Sequence, residues 1–155
     1  WSSDVCSSDL LARALPRLAD GSLEFAPQDD SAATYCRKLE RADGVLDFAA
    51  SAAALAARVN GLNPWPGVSV DLSGERIKVG LAEAESGAET APPGTVLASN
   101  AGALRVATAD GVLRFLKLQR AGGRMLPAAE FLRGRGVAPG TVISSEPMPA
   151  LVTRR

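Results

Sequence analysis

The residues whose types suggest chemistry are few. They are the adjacent pair Asp29-Asp30, Cys36 beside Arg37 and Lys38, and a run of cations after residue 104. Carboxylate pairs are the raw material of general acid–base catalysis, but two neighbours in a polar stretch read as a solvated pair. A thiol flanked by cations loses its proton more readily. A catalytic thiol also needs a base, and the chain has no histidine. That removes His-based triads and imidazole metal sites together. Cys6 and Cys36 stand thirty positions apart, unlike the paired cysteines of a zinc site. No glycine-rich phosphate loop is present. The residues offer no catalytic and no metal site.

What remains is the distribution of charge. Net formal charge is zero over 155 residues. Residues 1–33 carry −4, however, and residues 105–155 carry nine Lys/Arg against three Asp/Glu. Such an excess is either an ordinary solvated surface or a face turned toward a polyanion.

The elements that would position these cations follow from periodicity. Residues 1–10 (WSSDVCSSDL) read like a translated frame of a short-read sequencing adapter, joined to a natural sequence that starts near Leu11. Leu11, Leu15 and Leu18 then predict a helix over 11–20, stopped at Gly21, with Pro16 an awkward member. Ser22–Ser31 reads as a linker, and AATYCRKL (32–39) as one or two helical turns. Ser51–Val59 is an Ala-rich helix with Ser51 as N-cap and Asn60-Gly61 as its stop. In Asn63–Gly67 (NPWPG), two prolines fix the chain around Trp65. That tryptophan is expected to be a structural anchor in the core; the competing role is a stacking platform for a base.

Beyond Gly67 the period changes to two. Strands are predicted at Val68–Leu72, Arg76–Ala82, Thr95–Ser99, Leu104–Thr108 and Val112–Leu118, with a short helix over Leu126–Arg133 and a last strand within Ala138–Ile143. The fold class is mainly β with short helices: a small antiparallel Greek-key barrel of the oligonucleotide-binding type. With Cys6 set aside, Cys36 has no partner for a disulfide, which points to a reducing, cytoplasmic setting.

The strings Pro27-Gln28, AATYCRKL (32–39), LNPWPG (62–67), ERIKV (75–79), PGTVL (93–97), VATADGVL (106–113), LKLQRAGGRM (116–125) and AAEFLRG (128–134) occur in this order. Together they resemble the C-terminal part of methionyl-tRNA formyltransferase. The resemblance implies residues 11–20 as the last helix of a truncated N-terminal catalytic domain, 21–44 as a linker, 45–145 as the C-terminal β-barrel domain and 146–155 as a flexible tail. It implies a monomer without membrane attachment, whose partners are initiator methionyl-tRNA and the missing catalytic domain. That absent domain would hold the catalytic Asn, His and Asp and the formyl donor, 10-formyltetrahydrofolate; no cofactor is expected on residues 1–155.

For tRNA contact the resemblance nominates Lys38, Lys78 and Arg124, with Arg41 just beyond the linker motif. Arg133 and Arg135 match a C-terminal basic pair loosely, and Arg114 and Lys117 join on charge alone. Two other readings stay open: the equivalent domain of a folate-dependent formyltransferase acting on a sugar nucleotide or on water, and a non-enzymatic nucleic-acid-binding barrel.

Overall fold

The computed structural model of the chain describes residues 7–27, 29–87, 90–98 and 102–154. They divide into two compact units, one running to Tyr35 and including Arg154, the other from Cys36 to Thr153.

In the first unit, helix α1 spans Ser7–Ala19. It begins four residues before the predicted start, inside the stretch set aside as adapter-like; residues 1–6 of that stretch lie outside the described residues. Asp9 in the first turn and Arg17 in the last complement the helix dipole. Pro16 sits inside the helix and contributes no N–H, yet its carbonyl still accepts from Asp20 N at 3.0 Å. Leu11, Leu15 and Leu18 are all more than half exposed. The helical turns expected in AATYCRKL are not formed at Thr34–Cys36, which is a short strand, β1. The Asp29 carboxylate accepts from Ser31 N at 2.9 Å and closes a local turn first. Thr34 and Tyr35 then follow their preference for extended backbone.

The second unit is built on an antiparallel sheet. Its strands are β2 (Val68–Leu72), β3 (Glu75–Glu85), β4 (Leu104–Ala107), β5 (Val112–Arg120) and β6 (Leu126–Pro127), ordered β2-β3-β5-β4 with β6 on β5. The β2–β3 hairpin turns at Ser73-Gly74, both with positive φ of 55° and 78°, the two-residue geometry that matches strand twist. The predicted strand at Thr95–Ser99 is reduced to bridges at Thr95 and Val96, and the one within 138–143 to a bridge at Val142. Residues 99–101 are outside the described set. Those bridges still extend the sheet: Leu97 N donates to Arg105 O (2.9 Å), and Val96 N to Thr141 O (2.8 Å). On the β2 side, Ser69 N donates to Gly44 O (3.0 Å), and Glu146 N donates to Leu46 O (2.9 Å).

Helix α2 (Ala52–Gly61) starts where Ser51 Oγ accepts from Ala54 N, and it buries Ala52, Leu55, Ala56 and Val59. Helix α3 (Ala128–Gly134) buries Ala128 and Phe131. These stripes join Phe48, Ile77, Val79, Phe115 and Leu118 in one core. Burying each of the larger side chains stabilises the fold by about 1.5–3 kcal/mol. The antiparallel, mainly β class with short helices is the one expected.

Candidate nucleic-acid interface

Asn60-Gly61 ends α2 as expected, both residues lying in its last turn, and Asn60 also holds the sheet. Its carboxamide donates to Ala82 O (2.9 Å) and accepts from Ala82 N (3.0 Å). Ala82 sits at the register shift of β3 against β5, where the ladder is interrupted. A side chain thus supplies the pairing that the bulge removes.

The NPWPG loop follows directly. Gly67 N donates to Leu62 O (2.8 Å), which closes the loop, and the Asn63-Pro64 and Trp65-Pro66 bonds are both cis. Trp65 is 55% exposed. This corrects the expectation of a core anchor. Leu62 and Val68, at the two ends of the loop, take the buried positions, and the indole stands at the apex between them.

Two contacts fix what surrounds this apex. A Cβ on Gly44 would lie 2.2 Å from Gly67 O, so the turn Arg41–Asp43 that precedes Gly44 packs directly on the loop. From β3, Lys78 lays its chain over Gly67 and donates from Nζ to Pro64 O (3.2 Å). The neighbouring strand adds a third element. Gln119 lies opposite Lys78 and donates to Gly123 O (2.7 Å), so the Ala121–Met125 loop folds back on this face. Met125 lies against Gly80, where a Cβ would come within 2.6 Å of its Cε. Arg124 on that loop is 80% exposed and pairs with Glu130 at 3.2 Å.

Of the residues nominated from sequence, Arg41, Lys78 and Arg124 are therefore carried by elements that meet on one outer face, with Lys38 exposed just upstream of Arg41. Lys117 is exposed opposite Pro127, and Arg133 is exposed on α3, three residues beyond Glu130. Two others are committed elsewhere. Arg114 is mostly buried between Glu83 (3.2 Å) and Glu85 (3.6 Å). Arg135 pairs with Glu75 and donates to Leu72 O (3.0 Å). Both charges are internally compensated, and both side chains brace strands.

The turn that carries Arg41 is held from below by Asp43, a fully buried carboxylate. Arg37 donates to both of its oxygens, and Glu40 N donates to Oδ2 (2.7 Å). Arg58 of α2 donates to its backbone oxygen (2.9 Å). The Arg37 hydrogen bonds, and then the Glu40 N–H, hold the Asp43 carboxyl below the usual range, and the same partnership raises Arg37. Burial pushes Arg58 down from its ordinary value. Sequence reading passed over Asp43 because its partners lie 6 and 15 residues away.

Residues 38–136 match the model of the family described as formyl transferase, C-terminal domain. The chain belongs to the formyltransferase C-terminal domain family. Among curated relatives of this formyltransferase domain is a methionyl-tRNA formyltransferase of Ralstonia nicotianae, 41% identical over 88% of this chain and 42% of its own length. Another, from Bordetella parapertussis, is 43% identical over 84% of this chain and 42% of its own length. The chain thus spans less than half the length of the curated relatives it matches. Among solved structures, HypX from Aquifex aeolicus shares the fold, with a TM-score of 0.57 at 23% identity over 84% of this chain and 24% of HypX. HypX in complex with tetrahydrofolic acid gives 0.56 at 22% identity, over 95% of this chain and 26% of HypX.

Among the described residues no group of three His, Cys, Asp or Glu is placed to hold a metal ion, and no helix is long and apolar enough to cross a membrane.

Proposed function

We propose that this formyltransferase domain docks tRNA for a methionyl-tRNA formyltransferase, which moves a formyl group from 10-formyltetrahydrofolate to the amino group of methionyl-initiator-tRNA in the cytoplasm. Identities of 41–43% with enzymes of that name carry the reading. The exposed cations Lys38, Arg41, Lys117, Arg124 and Arg133 support it, since phosphate contacts supply most sequence-independent affinity. Lys78 adds a cation on the same face, while Arg114 and Arg135 contribute by holding β3 and β5 in place. In this reading residues 11–20 close the catalytic domain, 21–44 link it to the barrel, and the whole enzyme works as a monomer.

The folate belongs to the rest of that enzyme. A cleft of about 460 Å³ beside the start of α2 is lined by Glu85, Asp110 and small residues such as Ala52 and Gly111. It presents acids to a ligand whose glutamyl tail is itself anionic, and no aromatic ring to cover a pteridine. It does not fit the cofactor, and no formyl transfer is expected from residues 1–155 alone.

The decisive experiment is a titration of the 155-residue chain with initiator tRNA at low salt. Expected is a dissociation constant of roughly 10⁻⁴–10⁻⁶ M near physiological salt, weakening steeply as salt rises. Absence of binding at millimolar protein removes the docking role.

A further inference from the structure

Electrostatic docking gives no use to the most conspicuous side chain on this face. A bare indole is unfavourable on a surface that only needs to meet phosphates. Trp65 is nevertheless 55% exposed, on a loop whose backbone is closed by the Gly67–Leu62 hydrogen bond at 2.8 Å. The loop backbone is held further at Gly67, where Gly44 and the Lys78 chain both approach closely. The loop that carries the indole is thus pre-ordered, which lowers the ordering cost of binding. Cations flank it. Lys78 Nζ is anchored on Pro64 O, one residue from the indole, and Arg41 rides on the turn that Gly44 joins to the loop. The exposed acid just before that turn, Glu40, acts through its charge on Arg37.

We propose that the Trp65 indole stacks on an unpaired base of RNA while Lys78 and Arg41 hold the phosphates on either side of that nucleotide. The inference rests on the RNA-docking reading and makes it more specific. A rigid aromatic between two cations is the arrangement by which single-stranded nucleic acid is bound: the ring takes the base and the cations follow the backbone. Duplex RNA offers no free base face, so the ligand is a loop, bulge or end. A protein partner would also cover an indole. The exposed cations Lys38, Arg41 and Arg124, with Lys78 on Pro64, favour the polyanion.

The test uses the full chain carrying Trp1→Phe, so that Trp65 is the only tryptophan of the two in the sequence. Indole fluorescence is followed during titration with a short oligouridylate, a short oligoadenylate and inorganic polyphosphate, while anisotropy of end-labelled RNA reports binding separately. Expected is saturable quenching by both RNAs and none by polyphosphate. Trp65→Ala should weaken oligonucleotide binding about 5- to 100-fold, the range of base–aromatic stacking, and Trp65→Phe should recover most of it. Lys78→Ala and Arg41→Ala should weaken binding and lower its salt dependence, yet leave the quench at saturation intact.

Anisotropy that shows binding without any quench overturns the stacking inference and leaves RNA docking standing. No binding of any RNA by anisotropy overturns both. Equal quenching by polyphosphate assigns the signal to nearby charge and also overturns stacking. Loss of self-association in Trp65→Ala, with RNA binding unchanged, would reassign the indole to a protein contact.

Discussion

Arg37 grips both carboxylate oxygens of Asp43, and the Asp43 side chain is entirely removed from solvent while Arg37 stays 42% exposed. The interaction faces inward at one end and outward at the other. It secures the short turn that brings Arg41 to the Trp65 loop, and Arg58 ties the same turn to α2. Positioning of the candidate interface thus depends on a charge that never meets the ligand.

The first prediction follows from that carboxyl. Its folded-state pKa lies below the unfolded value of about 3.9. The folded form therefore binds fewer protons in this window, and stability rises with pH across it. The contribution is complete above about pH 5 and is lost as pH falls through the folded value. Asp43→Asn should lower the melting midpoint at pH 7 and flatten its decline between about pH 5 and 3. Asp20 and Asp29 are lowered as well, by hydrogen bonds from Ser22 and Ser31. A variant whose pH profile parallels the parent's would show that Asp43 does not carry the effect.

A second prediction separates Trp65 from the core. Trp65→Ala should change stability by less than about 1 kcal/mol in urea melts, as surface substitutions do. Phe115→Ala, at a fully buried site, should cost about 3–5 kcal/mol. A loss of that size at Trp65 would mean that the indole packs inward in solution.

The Asn60 bridge gives a third. Asn60→Ala leaves the N–H and C=O of Ala82 without their partner at the register shift. The expected cost is about 1–3 kcal/mol, with faster amide exchange at Ala82. Unchanged exchange there would show that the ladder repairs itself.

The fourth concerns which cations meet phosphate. Each phosphate neutralised adds about −0.7 to −0.9 to the slope of log K against log salt. Charge reversal of Lys38, Arg124 and Arg133 together should flatten the slope for tRNA while leaving thermal stability nearly unaltered. Arg135→Glu should do the opposite, destabilising the fold through its contacts with Glu75 and Leu72. Similar salt slopes in the triple variant and the parent would exclude those three as phosphate contacts.

Strand β2 and its Ser73-Gly74 turn were legible because alternation and turn chemistry are local. So was α2, with its end at Asn60-Gly61. The misread pieces depend on partners distant in sequence. The second role of Asn60, its bonds to Ala82, went unseen because nothing nearby announces that residue. Trp65 looked like an anchor because its prolines fix the backbone path but not which side of the loop faces water. Arg114 and Arg135 looked as exposed as Arg124, since Glu83, Glu85 and Glu75 reach them only through strand pairing. The cationic character of the face was visible in composition. Its assembly from the Arg41 turn, β3 and the 121–125 loop was not, because it relies on Gly44 and Gly80 yielding space to Gly67 and Met125.

Asn60 is followed by glycine, and that succession has a chemical lifetime. The nitrogen of a glycine can attack the preceding side-chain carbonyl, closing a succinimide and expelling ammonia; hydrolysis then leaves aspartate or isoaspartate. Here Asn60 and Gly61 are both wound into α2, and the carboxamide is clasped by Ala82. The ring can close only when that end of the helix opens. Once it has closed and hydrolysed, the new carboxylate has no N–H left for the Ala82 carbonyl. Ageing at this one residue would therefore be slow in the intact domain and happen once in each chain, making the share of deamidated chains a record of how often the helix has let go.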